Sequence, residues 1–144
     1  MSVIFSKKCE YGLQAILYMA SIKDKEFFSA KEIARDLKIP KEFVSKILQS
    51  LVNYKIVGSK KGKNGGFYLA KKPDQIRLID IVEAIDGNEI FEQCVLGFPN
   101  CSSGAPCPVH NQWGKLRDMA YDMLSRETMD KSSCKKIFQL QETS

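Results

Sequence analysis

A chain of 144 residues has room for one domain with an extension, and a hydrophobic share of 44% suits a packed core. It holds no apolar run long enough to span a membrane, and five cysteines, an odd number unevenly spread, argue against a secreted disulfide scaffold and for a reducing cytoplasm. The net charge of +5 conceals a basic block: residues 30–72 hold eleven Lys or Arg (Lys31, Arg35, Lys38, Lys41, Lys46, Lys55, Lys60, Lys61, Lys63, Lys71, Lys72) and three acids (Glu32, Asp36, Glu42), a net +8 beside −3 for the remainder, which suits a polyanionic partner.

The opening MSVIFSKKCEYGLQAILYMA has the apolar content of a signal peptide, but Lys7, Lys8, Glu10 and Gln14 interrupt it. It reads instead as an amphipathic helix over 6–20, with Leu13, Ile16, Leu17 and Ala20 on one face. A second helix starts at Ser29, where Glu32 completes a capping box, and ends near Leu37. Pro40 suits the first position of a third helix. Phe43, Val44, Ile47, Leu48 and Leu51 form its apolar stripe, and Lys41, Glu42, Ser45, Lys46 and Gln49 face outward. Two helices joined by a short turn, the second with a polar and basic outer face, make helix-turn-helix geometry.

The next segment, IVGSKKGKNGGFYLAKKP, reads as strand, glycine-rich basic tip and strand. Ile56 and Val57 begin one arm, and Phe67, Tyr68 and Leu69 form the other. Gly62, Asn64, Gly65 and Gly66 can supply the positive φ of a tight hairpin. The tip lacks the strand–GxxxxGK[ST]–helix setting of a nucleotide-hydrolysing loop. A basic hairpin directly after a recognition-type helix is a wing. The candidate DNA-binding residues are therefore Ser29, Lys31, Lys41, Glu42, Ser45, Lys46, Gln49, Lys60, Lys61, Lys63 and Asn64. Pro73 closes the wing, and IRLIDIVEAIDGNE makes a fourth helix with Ile79, Val82 and Ile85 inward and Gly87 at its end.

Between Cys94 and His110 lie three of the five cysteines and the single histidine, spaced Cys94-x₆-Cys101-x₅-Cys107-x₂-His110 with glycine and proline in the gaps. Thiolate and imidazole suit zinc, copper and iron–sulfur centres alike. A structural zinc site usually shows a CxxC knuckle, which is missing here. A disulfide loop leaves one cysteine over. Iron–sulfur ligation tolerates wide, irregular spacing. A long helix follows from about Pro108 to Leu124, with Val109, Trp113, Leu116, Ala120 and Met123 in one stripe. The winged-helix core is complete without it, so the stripe calls for a partner, most simply a second copy of the chain.

The expected organisation is mainly α with a small β-hairpin. A winged helix-turn-helix domain covers 1–90, a cysteine-rich segment 91–110, a dimerisation helix 108–128 and a C-terminal tail 129–144. On the motifs EYGLQAILYMA, FFSAKEIARDLKIPKEFVSKILQSLVNYKIV, KGKNGGFYLAK, IRLIDIVEAIDG and CPVHNQWGKL, nearly the whole chain resembles the Rrf-type winged-helix transcriptional regulators of bacteria, the IscR- and NsrR-like proteins.

That resemblance implies a cytoplasmic DNA-binding regulator, a repressor in the first instance and not an enzyme, that meets a palindromic operator as a homodimer. It implies an iron–sulfur cluster, 2Fe–2S ahead of 4Fe–4S, on Cys94, Cys101 and Cys107. His110 is the fourth ligand, with Glu10 or Cys9 as alternatives. Cys9 stands where the family usually has glycine, and the first cysteine gap is one residue longer than the IscR-type pattern. Ser45 replaces a glutamate that discriminates between operators in relatives, so operator sequence does not carry over. The alternative is a winged-helix regulator without a cluster, reading thiol or cysteine status or holding structural zinc.

Overall fold

The computed structural model describes residues 5–87, 96, 104 and 107–130. Five helices and one hairpin follow in chain order: α1 (Lys7–Ser21), α2 (Ala30–Leu37), α3 (Lys41–Asn53), β1 (Val57–Lys60), β2 (Gly66–Leu69), a 3₁₀ turn (Pro73–Gln75), α4 (Leu78–Ile85) and α5 (His110–Arg126).

The first two helices each begin at a side-chain cap. The Ser6 hydroxyl accepts the Cys9 amide at 3.0 Å, which starts α1. At α2 the capping box is complete. The Glu32 amide donates to the Ser29 hydroxyl at 3.0 Å, and the Ser29 amide donates to the Glu32 carboxylate at 2.7 Å. Lys38 ends α2 in the left-handed conformation (φ 57°), and Lys38, Ile39 and Pro40 make the turn into α3. Pro40 sits one place earlier than expected, as the cap of α3.

The main core gathers Ile16 and Met19 of α1, Ile33 and Leu37 of α2, and Val44, Ile47, Leu48 and Leu51 of α3, with Phe28, Ile56, Val57, Ile76, Ile81 and Met129. α1 departs from the single stripe expected of it. Its buried residues are Cys9, Gly12, Ala15, Ile16, Tyr18 and Met19, while Leu13, Leu17 and Ala20 are only partly covered. The reason is tertiary: α1 packs against α2, α3, α4 and β2 together, so it buries more than one face. The Tyr18 hydroxyl donates to the Asp36 carboxylate and ties α1 to α2. Burial first, then that carboxylate, push the Tyr18 phenol above its usual range.

The hairpin is antiparallel, Val57 facing Leu69 and Lys60 facing Gly66. It docks on the strand-like residue before α2, where Phe28 and Phe67 exchange backbone hydrogen bonds of 2.8 and 2.7 Å. Gly66 has φ +142°, and a Cβ there would lie 2.8 Å from the Phe28 carbonyl oxygen. Gly62 supplies the other positive φ of the tip, whereas Asn64 and Gly65 do not adopt one.

The far end of α5 returns to the domain. Leu124 is buried with Cys9, Ile79 and Val82 in a smaller second core. Glu127 accepts the Leu78 amide at 3.0 Å, and the Met129 amide reaches the Pro73 and Ile76 carbonyls at 3.1 and 3.0 Å. Met129, three residues beyond the end of α5, is fully buried in the main core, while α5 itself contributes Leu124 to the second core. A boundary between helix and tail at 128/129 cuts through that anchor. Met129→Ala should lower stability by about 2–5 kcal/mol through the cavity it leaves, measured as a shifted midpoint in urea unfolding at unchanged slope.

Candidate nucleic-acid interface and cysteine segment

On α3 the covered and open faces separate cleanly. Val44, Ile47, Leu48 and Leu51 are buried, Lys41, Glu42, Lys46 and Gln49 are exposed, and Ser45 is half-exposed. Capping, a three-residue turn and one apolar stripe thus leave these polar side chains of a thirteen-residue helix open to a partner, with Asn53 exposed at its end. Phe43 departs from expectation. It is 44% exposed instead of joining the stripe, and its ring stands edge-on to Tyr11 of α1, centroids 5.8 Å apart.

Ser29 and Lys31 are both exposed at the start of α2. The Ser29 hydroxyl is already engaged in the capping box, so its first duty is to the helix. In the hairpin Lys60, Lys61, Lys63 and Asn64 are exposed. Lys60 differs from its neighbours: its ammonium lies over the Phe27 ring, 5.5 Å from the centroid, and Phe27 in turn packs edge-on against Tyr68. An aromatic base thus holds one lysine at the last strand pair before the loop, while Lys61 and Lys63 lie between the strands at the tip.

Of the sulfur and imidazole candidates, Cys94 and Cys101 lie outside the described residues. Cys107 is half-buried just before α5, and its carbonyl accepts the amide of His110, the first residue of the helix, at 3.1 Å. One turn therefore sets Cys107 and His110 at the head of α5. Among the described residues no three His, Cys, Asp or Glu side chains gather as a metal site; two of the expected donors are not among them.

The two alternative fourth ligands have different surroundings. Cys9 is fully buried against Ile79, Val82 and Leu124. Burial, then the Asp86 carboxylate, push its thiol up to about 12, so it is a neutral packing group. Asp86 also accepts the Ser6 amide at 3.0 Å and the Ser6 hydroxyl, which fastens the end of α4 to the start of α1. Glu10, one residue on, is half-buried and lies 3.6 Å from the Lys7 ammonium.

Along α5, Leu116 is 57%, Met119 69% and Met123 54% exposed. Val109, Trp113 and Ala120 are half-buried, and Leu124 faces α4. The helix thus carries one covered seam and, beside it, an open apolar stripe. The periodicity missed Met119, which extends that stripe between Leu116 and Met123. No helix among the described residues is long and apolar enough to cross a membrane.

The chain matches the Rrf2 family model, described as an iron-dependent transcriptional regulator, over residues 5–132. It is 37% identical over 129 residues to a protein of Aquifex aeolicus named as an HTH-type transcriptional regulator, covering 88% of this chain and 89% of that one. Among solved structures it is similar to CymR of B. subtilis, described as the global cysteine regulator, with TM-score 0.73 and 24% identity over 90% of this chain and 95% of that one. It is similar also to IscR of T. potens, with TM-score 0.68 and 22% identity over 96% and 87% of the two chains. At these identities the two structural likenesses speak for the fold, a winged helix.

Proposed function

The chain belongs to the Rrf2 family of transcriptional regulators, and from that premise we propose that it is a repressor that binds a palindromic operator as a homodimer, its DNA affinity set by an iron–sulfur cluster on residues 91–110. Regulation of transcription through a DNA-binding winged helix is the family's property. The homodimer, the operator symmetry and the cluster are the finer reading.

The observation that carries the DNA reading is the open polar face of α3 followed at once by a lysine-tipped hairpin. α3 enters the major groove, where Ser45, Lys46 and Gln49 meet base edges. Lys60, Lys61 and Lys63 neutralise phosphates. As point charges they position the protein and read bases little. The Lys60/Lys61/Lys63→Ala protein should bind all sequences more weakly and show a flatter dependence of log affinity on log salt, by roughly 0.9 for each phosphate no longer neutralised. Fluorescence anisotropy with a labelled duplex at four salt concentrations measures this; an unchanged slope removes the wing from the interface.

For the cluster, the donor set fits. Three thiols and one imidazole within seventeen residues offer soft ligands in the number a cluster needs, and Cys107 and His110 stand together at the head of α5. The burial of Cys9 among Ile79, Val82 and Leu124 speaks for packing over ligation. When bound, the cluster supplies a centre that responds to iron supply, oxidation or nitrosation. The chain does the rest. Cys94, Cys101, Cys107 and His110 would hold the group in the segment that joins α4 to α5. Ser6 and Asp86 fix the end of α4 on α1, and Leu124 with Met129 fix the far end of α5 on the domain. Occupation of that site would therefore bias how α5, and the second copy packed on it, sets the distance between two reading heads, which must match half-sites about one helical turn or a multiple apart.

A further inference from the structure

Phe43 is the residue of α3 whose environment the apolar pattern does not explain. At the third position of the helix it is 44% exposed, while its aliphatic neighbours Val44, Ile47, Leu48 and Leu51 are all buried. A lone exposed phenyl is ordinary on a protein surface. This one is not placed at random. Its ring is held edge-on by Tyr11 at 5.8 Å and 82°, and the Lys7 ammonium lies over the other member of that pair, 5.2 Å from the Tyr11 centroid. Exposed Lys41, Glu42 and Lys46 surround it along the helix. The ring is thus pre-set at the amino-terminal end of the recognition helix, the part that meets base edges in helix-turn-helix complexes.

A phenyl ring can neither donate nor accept a conventional hydrogen bond, so phosphates and the polar base edges offer it little. The major groove presents one apolar feature, the 5-methyl group of thymine. We infer that Phe43 reads a thymine methyl in each half-site, its ring braced by Tyr11. The inference rests on α3 being the recognition helix, as proposed above. Lys7, Lys41 and Lys46 outnumber Glu10 and Glu42 around the ring, and this net positive setting favours DNA as its occupant over an apolar protein surface.

The test uses the full-length protein and a binding site selected from a randomised duplex pool, with each thymine of that site replaced in turn by uracil, which lacks only the methyl group. Wild type should lose roughly fourfold in affinity at one position per half-site, the worth of one buried methyl group. Phe43→Ala should bind thymine and uracil equally there, and Phe43→Leu should keep part of the preference. Thermal unfolding should fall by a few degrees in Phe43→Ala, which loses the edge-on Tyr11 contact, and less in Phe43→Leu, with both fully folded at the binding temperature. The inference falls if no position is methyl-sensitive, if Phe43→Ala keeps the wild-type preference, or if Phe43→Ala changes the oligomeric state, which would place protein over the ring. If wild type selects no sequence and the Lys60/Lys61/Lys63→Ala slope is unchanged, the recognition-helix reading fails and takes this inference with it. A selected site with normal salt dependence and no Phe43-linked thymine sinks this inference alone.

Discussion

A Leu116→Lys/Met123→Lys protein should sediment as a monomer and lose on the order of 100-fold or more in operator affinity. Both side chains stand more than half exposed on α5, in the stripe that Met119 completes. Charging them costs the fold little, because the residues that seat α5 on its own domain, Leu124 and Met129, lie on the covered seam and beyond the helix end. The cost falls on association. Two ammonium groups per copy at the centre of an apolar interface have no partner to repay their desolvation. The affinity loss follows from geometry: a dimer delivers its second reading head at an effective concentration that a free monomer lacks, and that advantage is commonly 10²–10⁴-fold. Sedimentation velocity and anisotropy on the same samples measure both effects. A variant that stays dimeric moves the interface off this stripe.

The second large effect concerns the thiols. Cys101→Ala and Cys107→Ala, purified without air, should each lack the visible absorption, iron and sulfide of the wild type, and each should bind the operator as the cluster-free wild type does. Removing one of few thiolate ligands leaves an incomplete set that the remaining donors cannot close. Cys9→Ala should keep the absorption, because its side chain belongs to the second core and not to the junction. Comparing His110→Ala with Glu10→Ala then identifies the fourth ligand: the variant with the less stable cluster names it. If the wild type itself is colourless and free of iron after anaerobic reconstitution, the DNA-binding reading stands, and sensing passes to zinc or to bare thiols.

Much of the reading head was legible because its signals are local. Ser29 and Glu32 lie three residues apart and cap α2 by that spacing alone. Val44, Ile47, Leu48 and Leu51 repeat at helical intervals and are buried accordingly. The basic hairpin announces itself by Gly62, Gly66 and its lysines. The departures come from contacts distant in sequence. Phe43 fits the apolar repeat of α3, but Tyr11, on another helix, holds its ring at the edge of the core. Cys9 stands beside Glu10 in sequence, and α4 and α5 close over its side chain to make it part of the second core. Met129 follows the last periodic residue of α5 and resembles the start of a tail; backbone bonds to Pro73 and Ile76 carry it into the core. No periodicity within one helix can reveal such closures. In the cysteine segment the donor chemistry was legible from residue types and spacing, and Cys107 and His110 lie within one turn of each other at the head of α5.

The most direct test of cluster control is the operator affinity of one anaerobic preparation before and after removal of its cluster, at a single fixed salt concentration. The account predicts that the two dissociation constants differ by roughly five- to 150-fold, the range of a 1–3 kcal/mol coupling between two sites. Equal constants for the two forms on every selected duplex would contradict it.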